Sequence, residues 1–301
     1  MELFKDRENQ FLLEKILVKL FERKKDPSSS PTAAAGENPH DLSGRMPVIQ
    51  SQICQSVGKV RSHNEDAVFS LNVEISTSAN RQSFGLFMLA DGMGGHLDGE
   101  VASNLAIEAA AGYLMTNLLE PLRLGHSAFS DEEIEGLLEQ AMQAAQDAVV
   151  SQVSGGGTTL TLALLLNSAL FFAHVGDSRL YLLSGKQPLQ LLTKDHSVVQ
   201  RQVDLGQISP KEAANHPKRN ALYRAVGQVI GFKADLGHLE LPQPAILLLC
   251  SDGLWGLVED ANIAAILMNA SHSVWNAQAL VDAANQAGGT DNISVIIVTI
   301  S

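Results

Sequence analysis

Residues 84–96 read Phe84-Gly85-Leu86-Phe87-Met88-Leu89-Ala90-Asp91-Gly92-Met93-Gly94-Gly95-His96. An apolar run of strand length ends in an aspartate, and a glycine-rich turn follows. From Glu100 to Leu119 the chain is rich in Ala and Leu, which predicts a helix. A strand that delivers a carboxylate to a glycine loop suits a polar site where backbone must approach a ligand closely. A plain Asp-Gly turn is the competing reading of this stretch alone. The same device recurs along the chain.

Toward the N-terminus, Val48–Val57 and Ala67–Ile75 read as strands, and between them lies Arg61-Ser62-His63-Asn64-Glu65-Asp66. An arginine followed closely by carboxylate and amide side chains is a solvated turn, or an anion-binding fork beside cation-binding acids. Toward the C-terminus, Asp131–Val153 predicts a long helix with Ser130 as N-cap, ended by Gly155-Gly156-Gly157. Strands follow at Thr158–Leu166 and Ala169–Val175, turning at Asn167-Ser168, and the second runs into Gly176-Asp177-Ser178-Arg179. Leu180–Leu183 and Leu189–Leu192 form a further hairpin. Residues 193–227 interrupt the apolar pattern, with Thr193–Ser197 capping a short helix and His216–Asn220 in a basic loop, and read as a surface flap. Ala245–Cys250 is a buried strand that ends in Ser251-Asp252-Gly253. Helices over 259–269 and 273–287, then Gly289-Thr290-Asp291-Asn292 and a strand at Ile293–Ile300, complete the chain.

With 301 residues, 45% of them hydrophobic, the chain has ample material for a core. The net charge of −12 argues against a general nucleic-acid binder. Residues 46–301 carry 13 Lys/Arg against 25 Asp/Glu and account for all of it. Cys54 and Cys250 lie far apart and fit free thiols in a reducing compartment. No stretch reaches transmembrane length and no signal-peptide layout is present, so a cytoplasmic location is expected. Residues 1–25 predict a peripheral helical extension, 26–46 a Pro/Ser/Ala/Gly-rich flexible linker, and 47–301 the folded body.

Asp91, Asp177, Asp252 and Asp291 each sit where an apolar strand meets a glycine turn, and Asp66 stands at a strand start. Singly, each is explained as a turn former or cap. Five carboxylates brought together would repel one another and require cations. Oxygen-only donors, with no zinc-type Cys/His pattern, select hard ions, Mg²⁺ or Mn²⁺. Such a cluster forms only if the five strand ends converge.

The ordered set Arg61-x-x-Asn64-Glu65-Asp66, Asp91-Gly92-Met93-Gly94-Gly95-His96, Gly157-Thr158-Thr159, Gly176-Asp177-Ser178-Arg179, Asp195-His196-Ser197, His216-Pro217-x-Arg219-Asn220, Ser251-Asp252-Gly253-Leu254-Trp255 and Gly289-Thr290-Asp291-Asn292 resembles the metal-dependent PPM/PP2C serine/threonine phosphatases. The bacterial branch is the nearest match, and the resemblance spans about residues 50–301. It implies an α+β fold, a four-layer α-β-β-α sandwich with two antiparallel sheets and the metals at one end. It implies two or three Mg²⁺ or Mn²⁺ ions per chain. Asp91 would bridge both main ions, Gly92 would contribute its backbone carbonyl, Asp66 and Asp291 would serve the second ion, and Asp252 the first. Glu65 would act through water, and Asp177 with Asp252 would hold a third ion. Arg61 would clamp the substrate phosphate. The segment from about Asp195 to Arg224 matches the family's flap. Animal members place a histidine after the Asp-Gly pair as general acid, where this chain has Met93, so His96 is not assigned that role and the proton source stays open. His63 and His174 read as locally satisfied histidines.

The function implied is hydrolysis of phosphoserine and phosphothreonine in proteins by direct attack of metal-activated water, opposing a Ser/Thr kinase. No nucleophilic Cys or Ser motif points to a phosphoenzyme. The alternatives are a catalytically silent binding module of the same fold and a hydrolase of small phosphoesters.

Overall fold

The central apolar runs read above become strands whose two faces are both covered, while β1 (Ile49–Ser56) and most of β2 (Asp66–Ser76) alternate between half-buried and exposed positions. The computed structural model describes residues 47–76, 81–94, 97–125, 129–185, 187–214, 216–228, 232–268 and 276–301. The expected N-terminal helix and linker, and His96, lie outside the described residues.

Among the described residues the strands are β1 (Ile49–Ser56), β2 (Asp66–Ser76), β3 (Arg81–Met93), β4 (Gly157–Thr158), β5 (Leu160–Leu166), β6 (Ala169–Val175), β7 (Arg179–Leu183), β8 (Gln190–Leu191), β9 (Asp235–Glu240), β10 (Ala245–Cys250) and β11 (Ile293–Ile300). The longer helices are α1 (Leu97–Leu114), α2 (Asp131–Gln152), α3 (Asp260–Met268) and α4 (Asn276–Gln286). One sheet has the order β1-β11-β10-β7-β8; the other is β2-β3-β5-β6-β9, with β4 beside β3. The pairings with an assigned register are all antiparallel.

Side chains alternate across a strand with period two, so a strand buried on both faces reads as unbroken apolar sequence. On β3, Leu86, Met88 and Ala90 pack with α1 and α2, while Phe87 and Leu89 meet the other sheet. On β11, Ile293, Val295 and Ile297 face α3 and α4, while Ile296, Val298 and Ile300 fill the space between the sheets. The result is the expected α-β-β-α sandwich. Each fully buried Leu, Ile or Phe contributes on the order of 1.5–3 kcal/mol of transfer free energy. Ser130 caps α2 through a reciprocal pair: its Oγ accepts from Glu133 N–H at 3.3 Å and Glu133 Oε2 accepts from Ser130 N–H at 2.8 Å.

Three details differ from the sequence reading. β3 continues through Asp91 to Met93, because Thr158 and Thr159 supply partners beyond the apolar run. The helix predicted to reach Leu119 changes after Leu114 into a π-helical turn, Met115–Leu119. One α-helical turn, Glu120–Arg123, follows, with Pro121 near its start, where its missing N–H is tolerated. β9 has no sequence expectation behind it: Asp-Leu-Gly-His-Leu-Glu is half polar and contains no β-branched residue. Between β8 and β9 the flap carries two short helices, Val198–Asp204 and Pro210–Ala214. Its base closes through bridges from Ser197 to Leu222 and from Thr158 to Val226.

Candidate active site

At one end of the sandwich, β2 begins and β3 ends. Asp66 and Asp91 are directly opposed in that antiparallel pair, which places two carboxylates on neighbouring Cα atoms. Thr159 Oγ1 accepts from Asp91 N–H at 2.9 Å, and Asp91 O accepts from Thr159 N–H and Thr158 Oγ1, both at 2.9 Å. The strand therefore holds Asp91 rigidly. Gly92 must be glycine, since a Cβ there would lie 2.2 Å from Gly99 O and 2.6 Å from Glu65 O. Glu65 is itself buried beside it, and His63 Nε2 stands 3.2 Å from its Oε1.

The other sheet brings its own acids to the same end. β10 runs into Asp252, at the start of the one-turn helix Asp252–Trp255, and Asp291 immediately precedes Asn292 and β11. Asn292 fastens the two sheets together. Its Oδ1 accepts from Glu65 N–H at 2.9 Å, and its Nδ2 donates to Val57 O at 3.1 Å and to His63 O at 2.9 Å. Gln55 adds a second tie, donating from Nε2 to Ser294 Oγ at 3.0 Å and reaching Asp66 O at 3.4 Å. Asp291 Oδ1 accepts from Asn292 N–H at 2.9 Å, and Asp291 Oδ2 accepts from Arg61 Nη2 at 2.8 Å. Arg61 Nη1 is also 4.0 Å from Glu65 Oε2, so the guanidinium stands at the rim of the acidic cluster.

Asp177 arrives from the β6–β7 connection. Trp255 Nε1 donates to its carbonyl at 3.0 Å, and Arg179 lies 3.7 Å over the Trp255 ring while forking onto both oxygens of Asp195 at 3.0 and 2.8 Å. A cleft of about 370 Å³ opens from Asp252 and Asp291 toward the flap, lined there by Val199, Val203 and Arg219.

The electrostatics follow from burial and like charge. Desolvation first, then the charges of Asp66 and Asp252, push the Asp91 carboxyl well above the usual carboxylate range. Desolvation raises Asp66 to about 6 and Asp252 to about 7, with Asp291 adding to both. Asp177 rises through burial and the nearby charge of Asp252. Ser251 and Ser294 oppose the Asp66 shift, yet neither of its carboxylate oxygens, both fully buried, accepts a hydrogen bond of good geometry. An oxygen pair in that condition is costly unless a cation meets it. Among the described residues no three His, Cys, Asp or Glu side chains already enclose a single point.

Comparison with known proteins fixes the family. The sequence profile of Protein phosphatase 2C matches residues 58–285. The chain belongs to the protein phosphatase 2C family. It is 34% identical over 247 residues to the serine/threonine phosphatase Stp of Listeria innocua, covering 80% of this chain and 92% of that one. The Mycobacterium tuberculosis serine/threonine phosphatase PstP/Ppp superposes with a TM-score of 0.69 at 34% identity, covering 83% of this chain and 98% of that one. The catalytic domain of PstP in complex with two manganese ions matches with a TM-score of 0.68 at 32% identity, over 84% of this chain and 99% of that one.

In this PP2C chain the structure gathers Arg61, Glu65, Asp66, Asp91, Gly92, Asp177, Asp252 and Asp291 at one end of the sandwich. His174 is internal: its Nδ1 is 2.9 Å from Thr161 Oγ1, its Nε2 is 3.0 Å from Gly176 O, and burial lowers its pKa to about 3. Sequence reasoning missed the residues that hold the acids in place. Gln55 and Ser294 carry no motif signal. Asn292 does, because an amide directly after a site aspartate can bridge to a neighbouring loop.

Proposed function

We propose that this chain is a phosphatase that removes phosphate from phosphoserine and phosphothreonine in proteins, using two or three Mg²⁺ or Mn²⁺ ions, in opposition to a Ser/Thr kinase. The observation that carries the reading is Asp66, a buried carboxylate whose oxygens accept no hydrogen bond of good geometry, directly opposite a second buried carboxylate on β3. Asp66, Asp91, the Gly92 carbonyl, Asp252 and Asp291 would hold the principal ions, Glu65 would reach them through water, and Asp177 with Asp252 a further one. When bound, paired hard cations acidify water and neutralise charge on a phosphoryl group in displacement.

The remaining work falls to the chain. Arg61 presents a planar fork at the cluster rim and orients a phosphate dianion bidentately. Asp291, which holds that guanidinium at 2.8 Å, keeps the fork aimed at the site. Thr159 and Asn292 lock the backbone of the acidic strands, so the carboxylates need little reorganisation during reaction. The flap cleft gives the residues flanking a phosphoamino acid a mixed surface, with Val199, Val203 and Pro210 beside two arginines, Arg179 and Arg219.

The deciding experiment is phosphate release from a phosphothreonine peptide, titrated with Mn²⁺ and Mg²⁺, checked with EDTA and run beside sugar phosphates and nucleotides. Metal-dependent, chelator-sensitive release that favours the peptide is the expected result. Release from the small esters alone makes the chain a small-molecule hydrolase, and no release from folded protein makes it a binding module. Asp91→Asn should abolish turnover with the fold intact; wild-type-like turnover would remove Asp91 from the centre.

A further inference from the structure

Behind Asp177 lies a buried polar chain that the catalytic reading does not use. Gly176 and His196 are joined twice: Gly176 O accepts from His196 N–H at 2.7 Å, and Gly176 N–H donates to His196 Nδ1 at 3.1 Å. A backbone N–H is always a donor, so Nδ1 must present its lone pair and the ring proton must sit on Nε2. That nitrogen faces Asp235 Oδ2 at 3.0 Å. Asp235 Oδ1 accepts from Arg224 Nη1 at 3.0 Å, and Arg224 Nη1 is 3.4 Å from His196 Nε2, so two donors converge on one carboxylate. The His174 ring lies 5.1 Å from that of His196 and caps the same Gly176 carbonyl. Gly176 itself has φ +113°, and a Cβ there would lie 2.5 Å from Thr159, so no larger residue can take its place at the corner.

We propose that His196 is a positioning residue for the phosphatase: its Nδ1 fixes the Gly176–Asp177 corner, Asp235 fixes the ring, and the Asp177 carboxylate and the flap base thereby move as one body. This rests on the proposed function, with Asp177 as a ligand of the further ion. The placement of the partners carries it. His196 opens the flap and Arg224 closes it, and both are tied to β9. Tyr223 N–H donates to His196 O at 2.9 Å and Val198 N–H to Ala221 O at 2.7 Å, so the two legs of the flap are laced at that level. Trp255 holds the next carbonyl, that of Asp177, from the other side. His196 is 1% exposed, so the ring has no route to a substrate and acts only through what it holds.

The test separates the two ring nitrogens. His196→Asn places an amide oxygen near the Nδ1 position and keeps the acceptor for Gly176 N–H, while His196→Gln reaches toward Asp235 and gives that acceptor up. Mn²⁺ isotherms by calorimetry, kcat and KM on a phosphothreonine peptide, and amide exchange of Gly176 in EDTA are measured for each. Outer-sphere partners of metal ligands typically change affinity or activity by about 10–100-fold. His196→Gln is expected to weaken the weakest Mn²⁺ event by about tenfold or more, lower kcat similarly, leave KM within about threefold, and speed Gly176 exchange. His196→Asn is expected to restore most of each. Equal losses in both variants, or a His196→Gln protein with unchanged isotherm and Gly176 exchange, overturn the proposal. If His196→Gln does not fold, Asp235→Ala, at a half-exposed side chain, is read the same way, and an unchanged weak Mn²⁺ event there is again an overturning result. A wild-type chain that neither binds Mn²⁺ nor releases phosphate refutes the function itself, which these variants do not test.

Discussion

Asp66 is placed where a carboxylate is least comfortable, buried, next to Asp91 and without a well-aligned hydrogen bond, and that discomfort is measurable. Removing its charge should help the fold and harm the chemistry. Asp66→Asn is expected to abolish metal-dependent turnover yet raise the stability of EDTA-treated protein at pH 7. The shift from 3.8 to about 6 corresponds to roughly 1–3 kcal/mol at about 1.4 kcal/mol per unit. A thermal melt in EDTA reads it directly, and a variant less stable than wild type there would contradict the account. Arg61 has the opposite profile. It is half-exposed and pairs with Asp291 at the rim of the acidic cluster, where the proposed function has it bind phosphate. Charged hydrogen bonds contribute about 1.5–3 kcal/mol, so Arg61→Ala should raise KM for a phosphopeptide by roughly 10–100-fold while kcat changes much less. An altered metal requirement with unchanged KM would place Arg61 among the metal-holding groups instead.

Elements are set by simpler rules, and those rules mark which of them carry no function. The α2 capping box lies remote from the carboxylates, so Ser130→Ala should cost about 1 kcal/mol, lowering Tm by roughly 2–4 °C, with kcat and KM unchanged. A loss of activity larger than the loss of folded protein would tie α2 to the site. The same rules explain how much of the molecule was legible. Ala169–Val175, Ala245–Cys250 and Ile293–Ile300 are largely buried on both faces, and their predominantly apolar runs, interrupted only at His174, Ser294 and Thr299, define their ends to the residue. Ser130 announced α2. The aspartates were legible as a set because strand ends and glycine turns punctuate the sequence. β9 was not, since its Leu236 and Leu239 straddle Gly237 and His238 and it draws its order from pairing with β6. The π-helical turn before Pro121 and the ties through Gln55 and Ser294 depend on tertiary contacts, which local pattern does not encode.

At the scale of the whole molecule, the acidic cluster is a joint between layers. One sheet supplies Asp66 and Asp91, the other leads into Asp252 and Asp291, and Asp177 lies on the crossing from one to the other. Mutual repulsion there pushes the layers apart, and divalent ions should draw them together. The pH dependence follows with a definite sign. Asp66 and Asp252 titrate near 6 and 7 in the fold against 3.8 when unfolded, so between those values the unfolded chain gives up its protons first. Their contribution to the metal-free fold is therefore most favourable below about pH 4 and is lost as pH rises toward 7. Cations bind the ionised carboxylates and compete with protons, so their stabilisation must grow over that same interval. At an ion concentration 100 times Kd the gain is about 2.7 kcal/mol, or roughly 5–10 °C in Tm for a body of this size. Melts in EDTA and in Mn²⁺ at pH 5, 6 and 7.5 test this, with Asp66→Asn alongside to subtract groups titrating elsewhere. The Mn²⁺ increment should be largest at pH 7.5, shrink toward pH 5, and lose much of its pH dependence in the variant. An increment that is flat across pH, and as large in Asp66→Asn as in wild type, would mean that the ions stabilise the protein somewhere other than between its sheets.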